Sequence, residues 1–325
     1  MNPRNTCALL SLTVVAGAIQ VVAQDPLPTA GIESLANSEI GLQLTTSAGH
    51  YYRWDASEQL VQWEPLVTWL STGLNSHTDS AAPYHPSRFY AAVELSTAPP
   101  LTGDQLATPD GSVIIHPINH ASLVLEWKGT IIYVDPVGGA TPFQDLPRAD
   151  LILVTHGHGD HLHTGTIDSV RGANAAIVAT PAVHSSLPAA QKALTTVLTN
   201  GASAPVKGIP IDAVPAYNLT TTHHPKGVGN GYILTLGGKR IYIAGDTEDT
   251  PELRALRNID VAFLPVNQPY TMTVAKAADA IREFRPKVVY PYHYRNATGA
   301  HSDLNALKTQ VGADLGIEVR LRNWY

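Results

Sequence analysis

A single cysteine, Cys7, stands in 325 residues, and it falls inside an N-terminal segment read as an export signal. The processed chain would therefore hold no thiol, which excludes a disulfide, a cysteine nucleophile and a thiolate metal ligand. An exported protein of this size without disulfides relies on its core, or on bound metal, for stability. Charge is scarce as well: 15% of residues are charged and the net charge is −6. No basic footprint of a nucleic-acid binder is present. An anionic substrate stays compatible, because a metal can supply local positive charge. After the N-terminus no apolar run is long enough to span a bilayer, which argues against stable membrane association.

The N-terminus itself has the parts of a signal peptide over residues 1–23. Arg4 supplies the positive end, residues 8–23 the apolar stretch, and Val21-Val22-Ala23 approximates a cleavage site. This predicts a secreted or periplasmic protein. Residues 24–111 read as an N-terminal elaboration, irregular and rich in proline and serine. Within it, Leu60, Trp63, Leu66 and Leu70 have helical apolar spacing. The boundary falls in the breaker-rich loop 96–111, and residues 112–325 form the main domain.

From Ser112 the pattern is regular. "SVIIHPI", "ASLVLEW" and "TIIYVDP" read as successive strands, with Lys128-Gly129 as a tight turn. "DLILVT" (150–155) has the continuous apolar character of a strand buried on both faces. A helix to about Arg171, a strand "AAIVAT" and a helix around 188–198 follow. A second strand series then runs from "IDAVPAY" to "GIEVRLR", with helices over 273–284 and 302–313. The alternation predicts an α/β fold, an αββα sandwich of two sheets with helices outside. The two strand-rich halves hint at a duplication.

The chemistry concentrates in "THGHGDHLH" (155–163). Residues i and i+2 of an extended segment point the same way, so His156 and His158 can grip one metal. Asp160 and His161 follow as the chain turns and can aim at a neighbouring point. Gly157 and Gly159 let the backbone bend around an ion. Two later strand ends offer partners: Asp246 in "YIAGDT" and His293 in "VYPYHYR". His163 is read as an orienting or surface residue, His120 as a group that orients ligands, and Asp135 as a turn or supporting carboxylate.

The series His156-x-His158-x-Asp160-His161, Gly245-Asp246-Thr247, His293 resembles the metallo-β-lactamase-fold hydrolases over roughly residues 112–325. "NHASLVLEWKGTIIYVDP", "HPKGVGNGYIL" and "FLPVNQPYTMT" are similar to the branch of metal-dependent hydrolases that includes ascorbate phosphate lactonase. The resemblance implies an αββα fold and a two-metal site. One metal would sit on His156, His158 and a third histidine, the other on Asp160, His161 and His293, with Asp246 bridging. The third histidine is where this chain departs: Asn218 occupies the matching place. His224 is the preferred candidate, ahead of His223 and His184, with Asn218 itself a conceivable oxygen ligand.

Imidazole-dominated nitrogen and oxygen ligation suits two Zn²⁺, with Mn or Fe compatible. A metal-bridging hydroxide would then attack a small-molecule lactone, ester, amide or phosphodiester, with Asp160 or Asp246 delivering the proton. An iron-dependent oxidoreductase and a catalytically idle metal- or ligand-binding protein are the alternatives from other classes. Two sequons, at Asn218 and Asn296, complete the features of note. Oligomeric state stays open.

Overall fold

Residues that alternate in and out of a buried face, or that are apolar at every position, make most of this chain strand-forming. A computed structural model describes residues 29–35, 39–46, 51–61, 63–71, 73–79, 82–84, 87–95 and 101–325. The proposed signal segment over 1–23 lies outside the described residues. Two units are distinguished, one comprising the chain up to Pro100 together with Phe143–Pro147, the other Leu101–Pro142 with Arg148–Tyr325.

The first unit contains two three-stranded antiparallel sheets. One joins β1 (Thr29–Ser34), β2 (Ile40–Thr45) and β5 (Leu74–Asp79); the other joins β4 (Glu64–Leu70), β3 (Tyr51–Ser57) and β6 (Phe89–Leu95). Ile40, Leu42 and Leu44 of β2 pack with Tyr52, Trp54 and Tyr90 in its core. The helix expected from Leu60, Trp63, Leu66 and Leu70 does not form. Tyr52, Trp54 and Ala56 are buried with the period of a strand, and Trp54 pairs with Val67 across the hairpin. Leu60 lies in the connection at φ 63°, and it and Trp63 are 43% and 36% exposed, so they are no helix face. An alternating aromatic face gains more from one buried sheet surface than a helix could from the same residues.

The second unit holds two seven-stranded sheets. The first runs β7 (Asp104–Thr108), β8 (Gly111–Asn119), β9 (Ser122–Trp127), β10 (Thr130–Val134), β11 (Ala149–Val154), β12 (Arg171–Ala179) and β13 (Thr195–Val197). The second runs β14 (Ser203–Val206), β15 (Ile209–Ala216), β16 (Gly229–Leu236), β17 (Lys239–Ile243), β18 (Val261–Pro265), β19 (Val288–Tyr292) and β20 (Glu318–Val319). In each sheet the first four strands are antiparallel neighbours and the last four parallel ones. The hinted duplication is thus visible as topology. β7 extends the first sheet, so the unit begins at Leu101 rather than residue 112; its polar, half-exposed edge residues carried no apolar signal.

Leu123, Leu125, Leu151 and Leu153 of the first sheet share one core with Ile211, Leu234, Ile241 and Ile243 of the second. The Tyr232 hydroxyl donates to the Val154 carbonyl at 2.9 Å, tying the sheets together. Lys128 and Gly129 both have positive φ, 53° and 76°, as a tight hairpin turn requires. Six helices serve the connections: α1 (Thr164–Val170), α2 (Pro181–Ser186), α3 (Ala189–Lys192), α4 (Pro251–Arg254), α5 (Val274–Phe284) and α6 (Leu304–Val311). The helix expected over 188–198 stops at Lys192, because Thr195, Thr196 and Val197 are β-branched and add strand β13 to the sheet edge.

Candidate metal centre

Parallel strands that start together also end together, and here their C-terminal ends deliver the functional loops. The loop after β11 leaves the sheet at Thr155. Its amide and hydroxyl donate to Asp135, at 2.8 and 2.7 Å, and Asp135 itself follows β10. The chain then turns tightly, with the amides of His161 and Leu162 donating to the His158 carbonyl at 2.9 and 2.8 Å. His156 and His161 are buried, Asp160 is half-buried, and His158 is exposed.

The loops after β15, β17 and β19 bring His224, Asp246 and His293. Gly245, before Asp246, has φ 63°, and a Cβ there would meet the Cβ of Thr155 at 2.9 Å. Only glycine lets these two strand ends come so close. His224 Nε2 lies 3.3 Å from one Asp246 oxygen, while His161 Nε2 and His293 Nε2 lie 3.3 and 3.5 Å from the other. His293 Nε2 is also 3.2 Å from His161 Nε2 and 3.4 Å from Asp160 Oδ2.

Among the described residues three triplets of donor atoms result, two of them sharing His156, each with its atoms within 4.8 Å of one another. They are His156, His158 and His224; His156, His161 and Asp246; and His120, Asp160 and His293. All seven residues singled out in the sequence are brought together. Of the candidates for the third histidine, only His224 takes part. His223 is exposed, with its ring edge-on to Tyr270, and His184 lies in the last turn of α2. Asn218 is a neighbour of His224, with its Oδ1 2.5 Å from His224 Nδ1. Its Nδ2, the atom a glycan would occupy, donates instead to Glu248 and the Tyr270 carbonyl.

A family model described as the beta-lactamase superfamily domain matches residues 115–293, more than half of the chain. The chain belongs to the metallo-β-lactamase superfamily. A UPF0173 metal-dependent hydrolase of Pyrococcus abyssi is 34% identical over 206 residues, 60% of this chain and 90% of the relative. A crystallised Parabacteroides distasonis protein, named as a metal-dependent hydrolase, is 44% identical, with a TM-score of 0.61, covering 69% of this chain and 99% of its own. The metallo hydrolase Igni18 of Ignicoccus hospitalis is 26% identical, with a TM-score of 0.56, covering 65% and 94%. With relatives of this kind, the protein is a metal-dependent hydrolase of the superfamily.

The donor set of this hydrolase fits divalent cations. His224 Nε2 and Asp246 Oδ1 are buried yet have no hydrogen-bond partner. Each such atom costs about 1–3 kcal/mol unless something else meets it. Burial, helped by the neighbouring His161, holds His156 well below the ordinary histidine range; burial and His224 lower His158. Burial pushes the Asp246 and Asp160 carboxyls up, but the surrounding imidazoles outweigh it and hold both low. His156 and His158 are thus held toward the neutral form that ligates metal. Burial pushes His161 down, but the Asp246 and Asp135 carboxylates outweigh it and raise it well above the ordinary histidine range, so a cation there would have to displace its proton. Behind the centre, buried Asp135 accepts from His161 Nδ1 at 2.7 Å, which presents His161 Nε2 to Asp246.

Sequence reading understated His120. It reaches Asp160 Oδ2 with Nε2 at 3.2 Å, and its ring lies 3.8 Å from that of His293. The signal available was its place in a turn between strands, where it takes φ 58°. Asn267, with Nδ2 2.9 Å from His293 Nδ1, lies in the family-like segment 263–273 but was not singled out within it, and Glu248 carried no motif.

Proposed function

We propose that this hydrolase works with two divalent cations, zinc in the first instance, on a small-molecule lactone, ester, amide or phosphodiester. His156, His158 and His224 would hold one cation and Asp160, His161 and His293 the other, with Asp246 shared. The observation that carries the reading is the division of the Asp246 carboxylate. One oxygen faces His224, and the other faces His161 and His293. When bound, the cations supply a lowered water pKa and a place for the negative charge of the reacting centre. Asp160, with 45% of its side chain exposed against 4% for Asp246, is the carboxylate of the centre open to solvent and is the proposed relay for the proton between the attacking water and the leaving group. Asp246, buried, keeps its charge throughout. The signal-like segment supports action outside the cytoplasm, secreted or periplasmic, and the low charge supports neither nucleic acid nor a membrane as partner.

Elemental analysis of the purified protein, with a panel of lactones, esters, amides and phosphodiesters assayed alongside, tests this. Two equivalents of zinc and hydrolysis lost on chelation are expected. One equivalent would sink the dinuclear reading. Iron with visible absorption would favour the oxidoreductase alternative, and a fully loaded protein inert to the whole panel would favour the idle binder.

A further inference from the structure

Asn218 stands where a ligand was conceivable, and its side chain does something else. Its Nδ2 donates to the Tyr270 carbonyl at 2.8 Å and to Glu248 Oε1 at 3.2 Å. Both are acceptors, so the amide can face them only with its nitrogen. Glu248 is in turn pinned by the amides of Leu219 and Thr220, at 2.8 and 2.9 Å, and by the Thr220 hydroxyl at 2.6 Å. Oδ1 is thereby turned toward His224 Nδ1, 2.5 Å away. An amide oxygen accepts and cannot donate, so His224 must carry its proton on Nδ1. The other nitrogen, Nε2, is the buried, unpartnered atom that points to Asp246.

We infer that Asn218 and Glu248 are positioning residues that lock His224 in its Nδ1–H tautomer and aim Nε2 into the centre. The inference rests on the two-cation reading for its purpose, but its geometry stands without any ion. The backbone reinforces it: the Asn218 amide donates to the His224 carbonyl at 2.8 Å, closing the loop that carries both residues. A partner amide, unlike the Asp135 carboxylate behind His161, fixes the tautomer without adding a charge. Asn218 and His224, six residues apart on one loop, thus work as a pair.

The test has two arms. In the chelator-treated wild-type protein labelled with ¹⁵N-histidine, long-range ¹⁵N–¹H spectra read the tautomer directly. The resonance lost in His224→Ala is expected to be protonated at Nδ1, and a ring protonated at Nε2 but not at Nδ1 would overturn the inference. In the second arm, zinc affinity is measured by chelator competition. Asn218→Leu is expected to weaken one of the two equivalents about 10–100-fold, with the circular dichroism spectrum unchanged. Asn218→Asp places an acceptor against Glu248 and should weaken it similarly; adding Glu248→Gln should restore part of the loss. Two equivalents held by Asn218→Leu at wild-type affinity would overturn the positioning role. Should Asn218→Leu fail to fold, the wild-type spectrum still decides. A wild type that binds fewer than two equivalents would sink the dinuclear reading, while the tautomer measurement, which needs no cation, would still judge this one.

Discussion

His163 closes the histidine-rich loop, and its ring accepts the Thr166 amide at 3.0 Å as the N-cap of α1. Its three companions face the centre instead, so four histidines in eight positions divide into two trades. Replacing His163 by alanine should cost about 0.5–2 kcal/mol, the usual worth of a helix cap, and leave metal content unchanged. Chemical denaturation with elemental analysis on the same sample checks both halves. Asp135 belongs to the opposite group. It accepts from Thr155 twice and from His161 Nδ1, so Asp135→Asn turns one acceptor into a donor. A loss of roughly 10–100-fold in zinc affinity is expected by chelator competition. Unchanged affinity would mean that His161 is held by its packing alone.

Among the elements, the strand ends carry the load, and Gly245 shows how tightly they meet. Gly245→Ala forces a left-handed residue and a Cβ at 2.9 Å from that of Thr155. A penalty of at least about 1–3 kcal/mol is expected, together with loss of the shared Asp246 position. A fall in melting temperature accompanied by a fall in bound metal would show it; wild-type values for both would refute it. Away from the centre, Asp260 joins β17, β18 and β19: it accepts from Lys287 Nζ at 2.8 Å and from the Arg240 amide at 3.0 Å. Burial pushes its carboxyl up, but the Lys287 ammonium and that amide outweigh it and hold it below the ordinary aspartate range. A depressed folded value gives stability that is complete above the unfolded pKa of about 3.9 and is lost as pH falls through the folded one. Asp260→Asn should therefore be less stable by about 1–3 kcal/mol at pH 7, with the gap to wild type closing below about pH 4. Urea melts at pH 7 and pH 3.5 would check this.

At the scale of the second unit, the centre joins two sheets of matching topology. His156, His158, Asp160 and His161 come from the first sheet, and His224, Asp246 and His293 from the second. A cation held there would cross-link the halves and, by binding the folded state better than the unfolded chain, would stabilise it. Free metal at a hundred times its dissociation constant adds about 2.7 kcal/mol. For a unit of this size, chelation should lower the melting temperature by roughly 5–10 °C. Scanning calorimetry with and without chelator is the measurement, and identical traces would argue against a structural share for the metal.

Much of this was legible locally. The i, i+2 spacing of His156 and His158, the apolar strands before 155 and 244, and the Lys128-Gly129 turn are set by neighbours in sequence. Strand periodicity and turn chemistry act over a few residues, so the sandwich and the first half of the centre follow from them. The aromatic hairpin over 51–70 was misread because short apolar runs satisfy helical and strand periods alike. What the tertiary structure alone decided lies at longer range. It placed His224, rather than His223 or His184, beside His156, His158 and Asp246, brought His120 beside Asp160 and His293, and set Glu248 behind Asn218. These groups meet only once two sheets have closed on a common core. No local pattern encodes which nitrogen of an imidazole will face inward, because that depends on an acceptor held in place by a different strand end.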